Sequence, residues 1–228
     1  MAGTPDTAPP PLQLLAREIG AFAYMRARAT FAGAIHSDAV GQSAPVIVIP
    51  GFMASDRTTG RLRRSLNKAG FISHGWGLGR NRGIRVDTLE RLDAQLSALG
   101  IIQPVTLIGW SLGGLVAREY AKHAPDKVGQ VVTLGSPFSG DPRANNAWRA
   151  YELIAGHKVD NPPLPVVLAE KPPVHTTAIW SRKDGVVAPA SARGETGEAD
   201  KRIELSCSHM AFVADPVAIA TVIRVIAR

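Results

Sequence analysis

Cysteine is almost absent from this sequence: Cys207 is the only one in 228 residues. A lone cysteine cannot form a disulfide within the chain, and it makes a cluster of thiolate metal ligands implausible. Paired histidine and carboxylate ligands at the spacing H-E-x-x-H are also missing. We therefore expect a protein of a reducing compartment that holds no metal and no other cofactor.

Long hydrophobic runs are missing too. No apolar stretch approaches the roughly 18 residues that a membrane-spanning helix needs. The start of the chain, MAGTPDTAPPPLQ, has neither the basic segment nor the apolar segment of a secretory signal. These absences predict a cytoplasmic protein without an integral membrane segment, and secretion would require that a signal had been removed.

Acidic residues are outnumbered: 26 Lys and Arg stand against 19 Asp and Glu, which gives a formal net charge of +7. The excess is concentrated in DRTTGRLRRSLNK, from residue 56, and in GRNRGIR, from residue 79. Aromatic residues make up only 6% of the chain, and no helix-turn-helix or zinc signature accompanies the arginines. Nucleic-acid binding is therefore disfavoured against a solvated helix face or an anion-binding rim.

What the sequence does contain is an alternation of short apolar runs with amphipathic segments. This pattern is typical of an α/β protein with a mostly parallel central sheet flanked by helices. Several runs lack the in-and-out alternation of a half-exposed strand, as expected when both faces are buried. The predicted strands are PVIVIP from residue 45, FISHGW from 71, PVTLIGW from 104, KVGQVVTLGS from 127, HTTAIWS from 175 and KRIELSC from 201.

Helices are predicted between these runs, and the length of the chain suits one domain over residues 1–228, in which residues 1–44 form an N-terminal lead and helix. One helix has leucines at steps of three and four residues, which marks a core-facing stripe: Leu89, Leu92, Leu96 and Leu99. The predicted helices are Leu12 to about Thr30, Thr58 to Ala69, Val86 to Leu99, Leu112 to His123, and one after Phe212.

Residues 138–173 interrupt the alternation. The segment is rich in proline and asparagine, and only Asn145 to Gly156 has helical spacing. Irregular segments of this length are uncommon in compact domains unless they are functional, and lids over active sites are a recurrent use. We therefore predict a short cap or lid at about 138–173.

The sequence GWSLG at residues 109–113 matches the pattern G-x-S-x-G. The pattern alone is weak, but a buried strand precedes it and an amphipathic segment follows it, which is the setting of a nucleophile elbow. Side chains at Gly109 or Gly113 would collide with backbone in so tight a turn. Ser111 would lie between a strand end and a helix start, where free N–H groups and the helix dipole favour developing negative charge.

A serine hydroxyl needs a base to become a nucleophile. His209 is the candidate, because it follows the last predicted strand and precedes the last helix; among the other histidines, His157 in the predicted lid is a candidate for substrate contact. Asp184, in a turn with Gly185 after another strand, could accept the imidazole N–H. The alternative is an aspartate that only caps its own turn. The chain order Ser111, Asp184, His209 is typical of one architecture.

An oxyanion hole needs two backbone N–H donors. Leu112, the residue after the nucleophile, is the first. The loop after the first strand is the natural source of the second, because Gly51 permits a tight turn there. Phe52 is the predicted second donor and Met53 the alternative. The same residues could also form an ordinary Pro-Gly turn at the end of a strand, without any role in an oxyanion hole.

Together these features resemble the α/β-hydrolase superfamily, and most of all its small lipase and esterase branches, over about residues 45–228. The resemblance rests on IPGF, GWSLGG, GSPFSG, SRKDGVV and SHM. It implies an α/β-hydrolase fold and an acyl-enzyme mechanism. In that mechanism Ser111 attacks a carbonyl and His209 moves the proton. Asp184 orients His209, and the N–H groups of Phe52 and Leu112 hold the oxyanion.

The chain departs from many lipases in two respects. It has Pro50 and Gly51 where they carry His-Gly, so the histidine that often braces the oxyanion loop is missing. The predicted lid is also short, which favours an open cleft and short to medium acyl chains. Several apolar residues could line an acyl site or belong to the core. Substrate contact is favoured over core packing for Phe52, Leu112 and Met210. Both roles are left open for the others: Met53, Trp110, Phe138 and Trp148.

The expected function is hydrolysis of small-molecule carboxylic esters by a serine nucleophile. An acyltransferase or a thioesterase could use the same residues, because the difference lies in whether water or another nucleophile attacks the acyl-enzyme. A binding protein that kept the fold without the chemistry is a third alternative, disfavoured because all three triad residue types are present. Cys207 is a weaker candidate nucleophile, since it ends a strand and lacks an elbow.

Overall fold

The computed structural model describes residues 7–227, without the side chains of residues 24–31. Residues 1–6 of the predicted lead and Arg228 therefore lie outside the described part. The strands are β1 Pro45–Ile49, β2 Ile72–Gly75, β3 Val105–Trp110, β4 Val128–Leu134, β5 His175–Ser181 and β6 Lys201–Leu205. The helices are α1 Leu12–Phe31, α2 Gly60–Lys68, α3 Thr88–Ala98, α4 Leu112–His123, α5 Trp148–Ala155, α6 Pro189–Arg193 and α7 Pro216–Ile226.

The strands form one parallel sheet in the order β2-β1-β3-β4-β5-β6. The predicted α/β fold with a parallel central sheet is confirmed, and all six predicted strands are present. The chain passes from β1 to β2 on one side and then to β3 on the other. The carboxyl ends of β1 and β3 therefore flank a topological switch point, where ligands bind in open parallel sheets.

Both faces of the central strands are buried, which explains the missing alternation in the sequence. In β1, Val46 and Val48 belong to a cluster with α2 and α7, whereas Ile47 and Ile49 belong to a second cluster with α3 and α4. Burial of a side chain of this size contributes roughly 1.5–3 kcal/mol. The strand ends that carry the loops of the site are thus held between two helical layers.

The predicted helices differ from the observed ones mainly at their starts. α4 has the predicted bounds, whereas α2 and α3 begin two residues later than predicted. α5 begins at Trp148 rather than Asn145, because the Asn145 side chain accepts the N–H of Ala147 at 2.9 Å and forms a turn before the helix. The short α6 was not predicted. None of the described helices is both long and apolar enough to cross a membrane.

Candidate active site

Ser111 forms the turn between β3 and α4. Its φ of 55° and ψ of −123° lie in a region that residues other than glycine rarely adopt, so the backbone is strained there. The N–H of Ser111 donates to the carbonyl of Leu134 at 2.8 Å, and its carbonyl accepts the N–H of Gly114 at 2.9 Å. These bonds hold the strained turn at the carboxyl edge of the sheet, where Ser111 is half-buried.

The glycines on either side of Ser111 make this turn possible. A side chain at Gly109 would collide with the backbone of Gly113 and Gly114, and one at Gly113 would collide with the carbonyl of Ile49. The start of α4 therefore packs directly against β3 and β1. This is the close approach that the G-x-S-x-G pattern predicts.

Asp184 and His209 follow the neighbouring strands β5 and β6. The Nδ1 atom of His209 lies 2.7 Å from Oδ2 of Asp184, and the two residues are only 2% and 1% exposed. The other carboxylate oxygen accepts the N–H groups of Val186 and Val187 at 2.7 and 2.8 Å. These two bonds orient the carboxylate and leave Oδ2 for the imidazole.

The surroundings of His209 favour its charged form. Burial by itself lowers the pKa of His209, but the charge and hydrogen bond of Asp184 and the charge of Glu18 outweigh it, so the pKa lies above the ordinary value of 6.5. Among the described residues, the only side-chain hydrogen bond of His209 is the one to Asp184. A second hydrogen bond connects His209 to the residue before Ser111. The indole N–H of Trp110 donates to the backbone carbonyl of His209 at 3.1 Å.

The loop after β1 lies directly against the elbow. A Cβ placed on Gly51 would be 3.1 Å from Cβ of Ser111. Met53, with a φ of 59°, donates its N–H to the carbonyl of Asn81 at 2.6 Å, so the alternative oxyanion donor is already engaged. The N–H of Phe52 has no carbonyl partner among the described turns and loops. This arrangement favours Phe52 over Met53 as the second donor.

Asn81 braces this loop, and the sequence reasoning missed it. The residue is 1% exposed, and its side-chain Nδ2 donates to the carbonyl of Pro50 at 2.8 Å. Its backbone donates to the carbonyl of Ala54 at 2.9 Å and accepts the N–H of Met53. Asn81 thus holds the loop after β1 through both its side chain and its backbone. In the sequence Asn81 stands among the arginines of GRNRGIR, a pattern that indicates charge and not a buried amide.

An apolar cavity of about 100 Å³ opens beside Ser111. One wall follows successive turns of α4. The rest of the lining comes from the loop after β1, the start of α3, the loop after β5 and residues 138–173, the predicted lid. Since the wall extends from Ser111 to Glu119, about 1.5 Å per residue makes it roughly 12 Å long. Its lining includes Phe52, Leu112, Leu115, Val116, Trp148, Tyr151, Leu164 and Leu168.

The other side chains considered for substrate contact lie elsewhere. Trp110 and Phe138 are core residues, 4% and 1% exposed, and Met53 is 37% exposed at the surface. Met210 packs against the cluster that contains Trp180. In the described structure none of these four predicted contacts lines the cavity beside Ser111. Trp110 and Phe138 belong to two clusters of the buried core, which their place in the sequence did not indicate.

His157 connects the predicted lid to the loop before α3. Its Nε2 lies 3.1 Å from the carbonyl of Ile84 and 3.3 Å from Oη of Tyr151. The Tyr151 ring in turn packs against Phe52, with 5.4 Å between ring centroids. His157 therefore connects residues 138–173 to the loop before α3 and does not itself line the cavity.

Cys207 is poorly placed to act as a nucleophile. Burial raises the pKa of its thiol, and the charges of Asp215, Asp184 and Glu18 raise it further. The thiolate, which is the reactive form, is therefore suppressed. Among the described residues, no group of three or more His, Cys, Asp or Glu side chains is arranged to hold a metal ion.

Comparison with known proteins gives both a family match and partial relatives. The α/β hydrolase fold family matches residues 45–161. The chain is 42% identical over 60 residues to the biotin biosynthesis bifunctional protein BioHC of Teredinibacter turnerae, covering 26% of this chain and 10% of that protein. It is 38% identical over 78 residues to the pimeloyl-[acyl-carrier protein] methyl ester esterase of Photobacterium profundum, covering 33% and 29%.

These matches span less than a third of either relative's length. A solved structure extends the likeness to most of the chain. The monoacylglycerol lipase of Paleococcus ferrophilus superposes with a TM-score of 0.59 and 17% sequence identity, over 82% of this chain and 95% of that one. At this identity the likeness is one of fold.

Proposed function

This chain belongs to the α/β-hydrolase fold family, and from that membership we propose that it is a serine hydrolase that cleaves carboxylic esters through an acyl-enzyme on Ser111. The observation that carries the proposal is the buried hydrogen bond of 2.7 Å between His209 and Asp184. It lies on the same edge of the sheet as the strained turn of Ser111. The proposal includes one catalytic domain over residues 1–228, with residues 138–173 as its lid.

In the proposed acylation step, Oγ of Ser111 attacks the ester carbonyl while Nε2 of His209 accepts the hydroxyl proton. Asp184 binds the N–H at Nδ1, which keeps Nε2 available as the base and stabilises the imidazolium. The contact between Ser111 and His209 forms in the substrate complex, as catalytic hydrogen bonds often tighten on binding. His209 then gives its proton to the departing alcohol.

The N–H groups of Phe52 and Leu112 hold the negative charge that develops on the carbonyl oxygen. The start of α4 adds a favourable dipole at the same point. Water attacks the acyl-enzyme in the second step, with His209 again as base, and Ser111 is restored. No other residue forms or breaks a covalent bond in these two steps.

The size of the cavity supports short acyl groups as the best substrates. An apolar cavity of about 150 Å³ holds a benzene molecule, and the cavity beside Ser111 measures about 100 Å³. A medium chain would extend along α4 beneath the lid. Two of the similar proteins are an esterase and a lipase by name, which supports esters as the substrate class.

The test is a panel of p-nitrophenyl esters of increasing chain length, assayed with the wild type and with Ser111→Ala. We expect kcat to fall by about four orders of magnitude or more, since loss of the nucleophile leaves only binding and the oxyanion hole. Ser97→Ala, a change of an exposed serine on α3, is the matched control and should retain wild-type rates. Equal activity in Ser111→Ala and the wild type would refute the mechanism.

A further inference from the structure

Glu18 of α1 is buried beneath the two loops that carry the proposed acid and base. It is 4% exposed, and its carboxylate accepts three backbone N–H groups. Oε1 accepts those of Gly185 at 2.9 Å and His209 at 2.7 Å, and Oε2 accepts that of Met210 at 3.0 Å. The proposed reaction uses none of these atoms.

We propose that Glu18 is a positioning residue, which ties the Asp184 turn to the His209 loop and so sets the geometry of the acid and base pair. The inference rests on the proposed roles of Asp184 and His209. Its basis is that a single oxygen, Oε1, binds the N–H of His209 itself and that of the residue directly after Asp184. A displacement of either loop would break one of these two bonds.

The chemistry of the contact suits a fixed position. Hydrogen bonds to an ionised acceptor are roughly twice as strong as those between neutral groups, and a buried carboxylate needs such partners to offset its lost hydration. The hydroxyl of Ser181, at the end of β5, also links the two loops by donating to the carbonyl of Cys207 at 2.6 Å. That bond lies nearer the strands, whereas Glu18 acts at His209.

The backbone of α1 lies close to the acid turn as well. A side chain at Gly185 would collide with the carbonyl of Leu14. The side chain of Asn146 donates both to the carbonyl of Gly185 and to that of Pro10, each at 2.9 Å. The start of α1 is therefore attached to the turn of the proposed acid through its backbone.

Apolar packing alone does not account for this attachment. Leu15 packs against the cluster around Trp180, but Leu12 and Ile19 are 75% and 76% exposed and Phe22 is 43% exposed. Among the side chains of α1 that the structure describes, only that of Glu18 is buried.

The experiment compares Glu18→Ala and Glu18→Gln with the full-length wild type. It measures kcat and KM on p-nitrophenyl butyrate, thermal unfolding, and the low-field proton resonance of the His209 Nδ1–H. We expect Glu18→Ala to lower kcat by about tenfold to a hundredfold, since small displacements of a catalytic group cost rates of this order. KM should stay within about twofold, and the resonance should shift or broaden.

Glu18→Gln should fall between Ala and the wild type. Its amide oxygen can still accept two N–H groups, but its NH₂ group would face the N–H of Met210. Ile19→Ala is the matched control, because Ile19 adjoins Glu18 on α1 and is exposed; its kcat and its resonance should equal those of the wild type.

A kcat within about twofold of wild type in Glu18→Ala, with an unchanged His209 resonance, would mean that Glu18 only attaches α1, and would overturn the inference. If Glu18→Ala does not fold, a wild-type kcat and an unchanged His209 resonance in Glu18→Gln would overturn the inference. Failure of the proposed function looks different. In that case Ser111→Ala would match the wild type, while the resonance would still report whether Glu18 positions His209 against Asp184.

Discussion

The indole N–H of Trp110 donates a hydrogen bond to the backbone carbonyl of His209 at 3.1 Å. Trp110 is the last residue of β3 and directly precedes Ser111, whereas His209 follows β6 at the far end of the sheet order. The indole and imidazole rings are 5.7 Å apart between centroids. The strand that carries the proposed nucleophile therefore also holds the loop of the proposed base.

Asp184→Asn should reduce kcat by about four orders of magnitude while the protein remains folded. The asparagine NH₂ group can face Nδ1 of His209, which favours the tautomer that carries its proton on Nε2 and cannot act as base. Ester turnover and circular dichroism measure the two effects. Asp126→Asn, a change of an exposed aspartate in a turn, is the control. Near-normal turnover in Asp184→Asn would mean that another acid supports His209.

The activity should depend on pH through His209. The base must be neutral, and its pKa lies above 6.5, so kcat/KM should fall as the pH decreases, with a midpoint above 6.5. Folding stability should depend on pH in the opposite direction. The stabilisation that comes from the raised pKa of His209 is fully present below the unfolded-state pKa and is lost as the pH rises through the folded-state pKa.

A profile of kcat/KM against pH from about 5 to 9 checks this prediction. Any residual activity of Asp184→Asn should have its midpoint at lower pH, because the charge and hydrogen bond that raise the pKa of His209 are removed. A flat wild-type profile between about pH 5 and 8 would contradict His209 as base.

Asn81→Ala should lower kcat by about tenfold to a hundredfold, because the loop that carries the Phe52 N–H loses its side-chain brace. The carbonyl of Pro50 would lose its partner, at a cost of about 1–3 kcal/mol in the free energy of unfolding. Steady-state kinetics and urea unfolding measure the two effects.

The matched control is Asn67→Ala, which removes the acceptor for the N–H and hydroxyl of Ser73, both at 2.8 Å, away from the site. This control should lose stability without losing kcat. If the two variants retain the same kcat, the brace does not contribute to the oxyanion loop.

Much of the fold could be predicted because it depends on local pattern. The apolar runs that became β1, β3, β4 and β5 are buried on both faces, and hydrophobic periodicity reports burial directly. The bounds of α4 were correct because glycines and a serine mark its start. The start of α5 was wrong because the side chain of Asn145 competes with the helix for a backbone N–H.

The site was predictable where local geometry alone constrains it, and not where distant segments meet. Gly109 and Gly113 are required by the steric limits of one turn, so the elbow at Ser111 is visible in five residues. The residues that brace the site are not, because Glu18 meets His209 across a sequence separation of 191 residues. The sequence does not distinguish a buried glutamate from an exposed one.

The sequence alone therefore determined the parallel α/β fold, the elbow, and the order of the three candidate catalytic residues, since these follow from periodicity, sterics and spacing. Only the tertiary structure decided that Asn81 and Glu18 form buried hydrogen bonds to the loops of the candidate site and that Trp110 and Phe138 are core residues. The reason is physical: which polar groups share a buried hydrogen bond, and which side chains line a cavity, depends on how separate elements pack together.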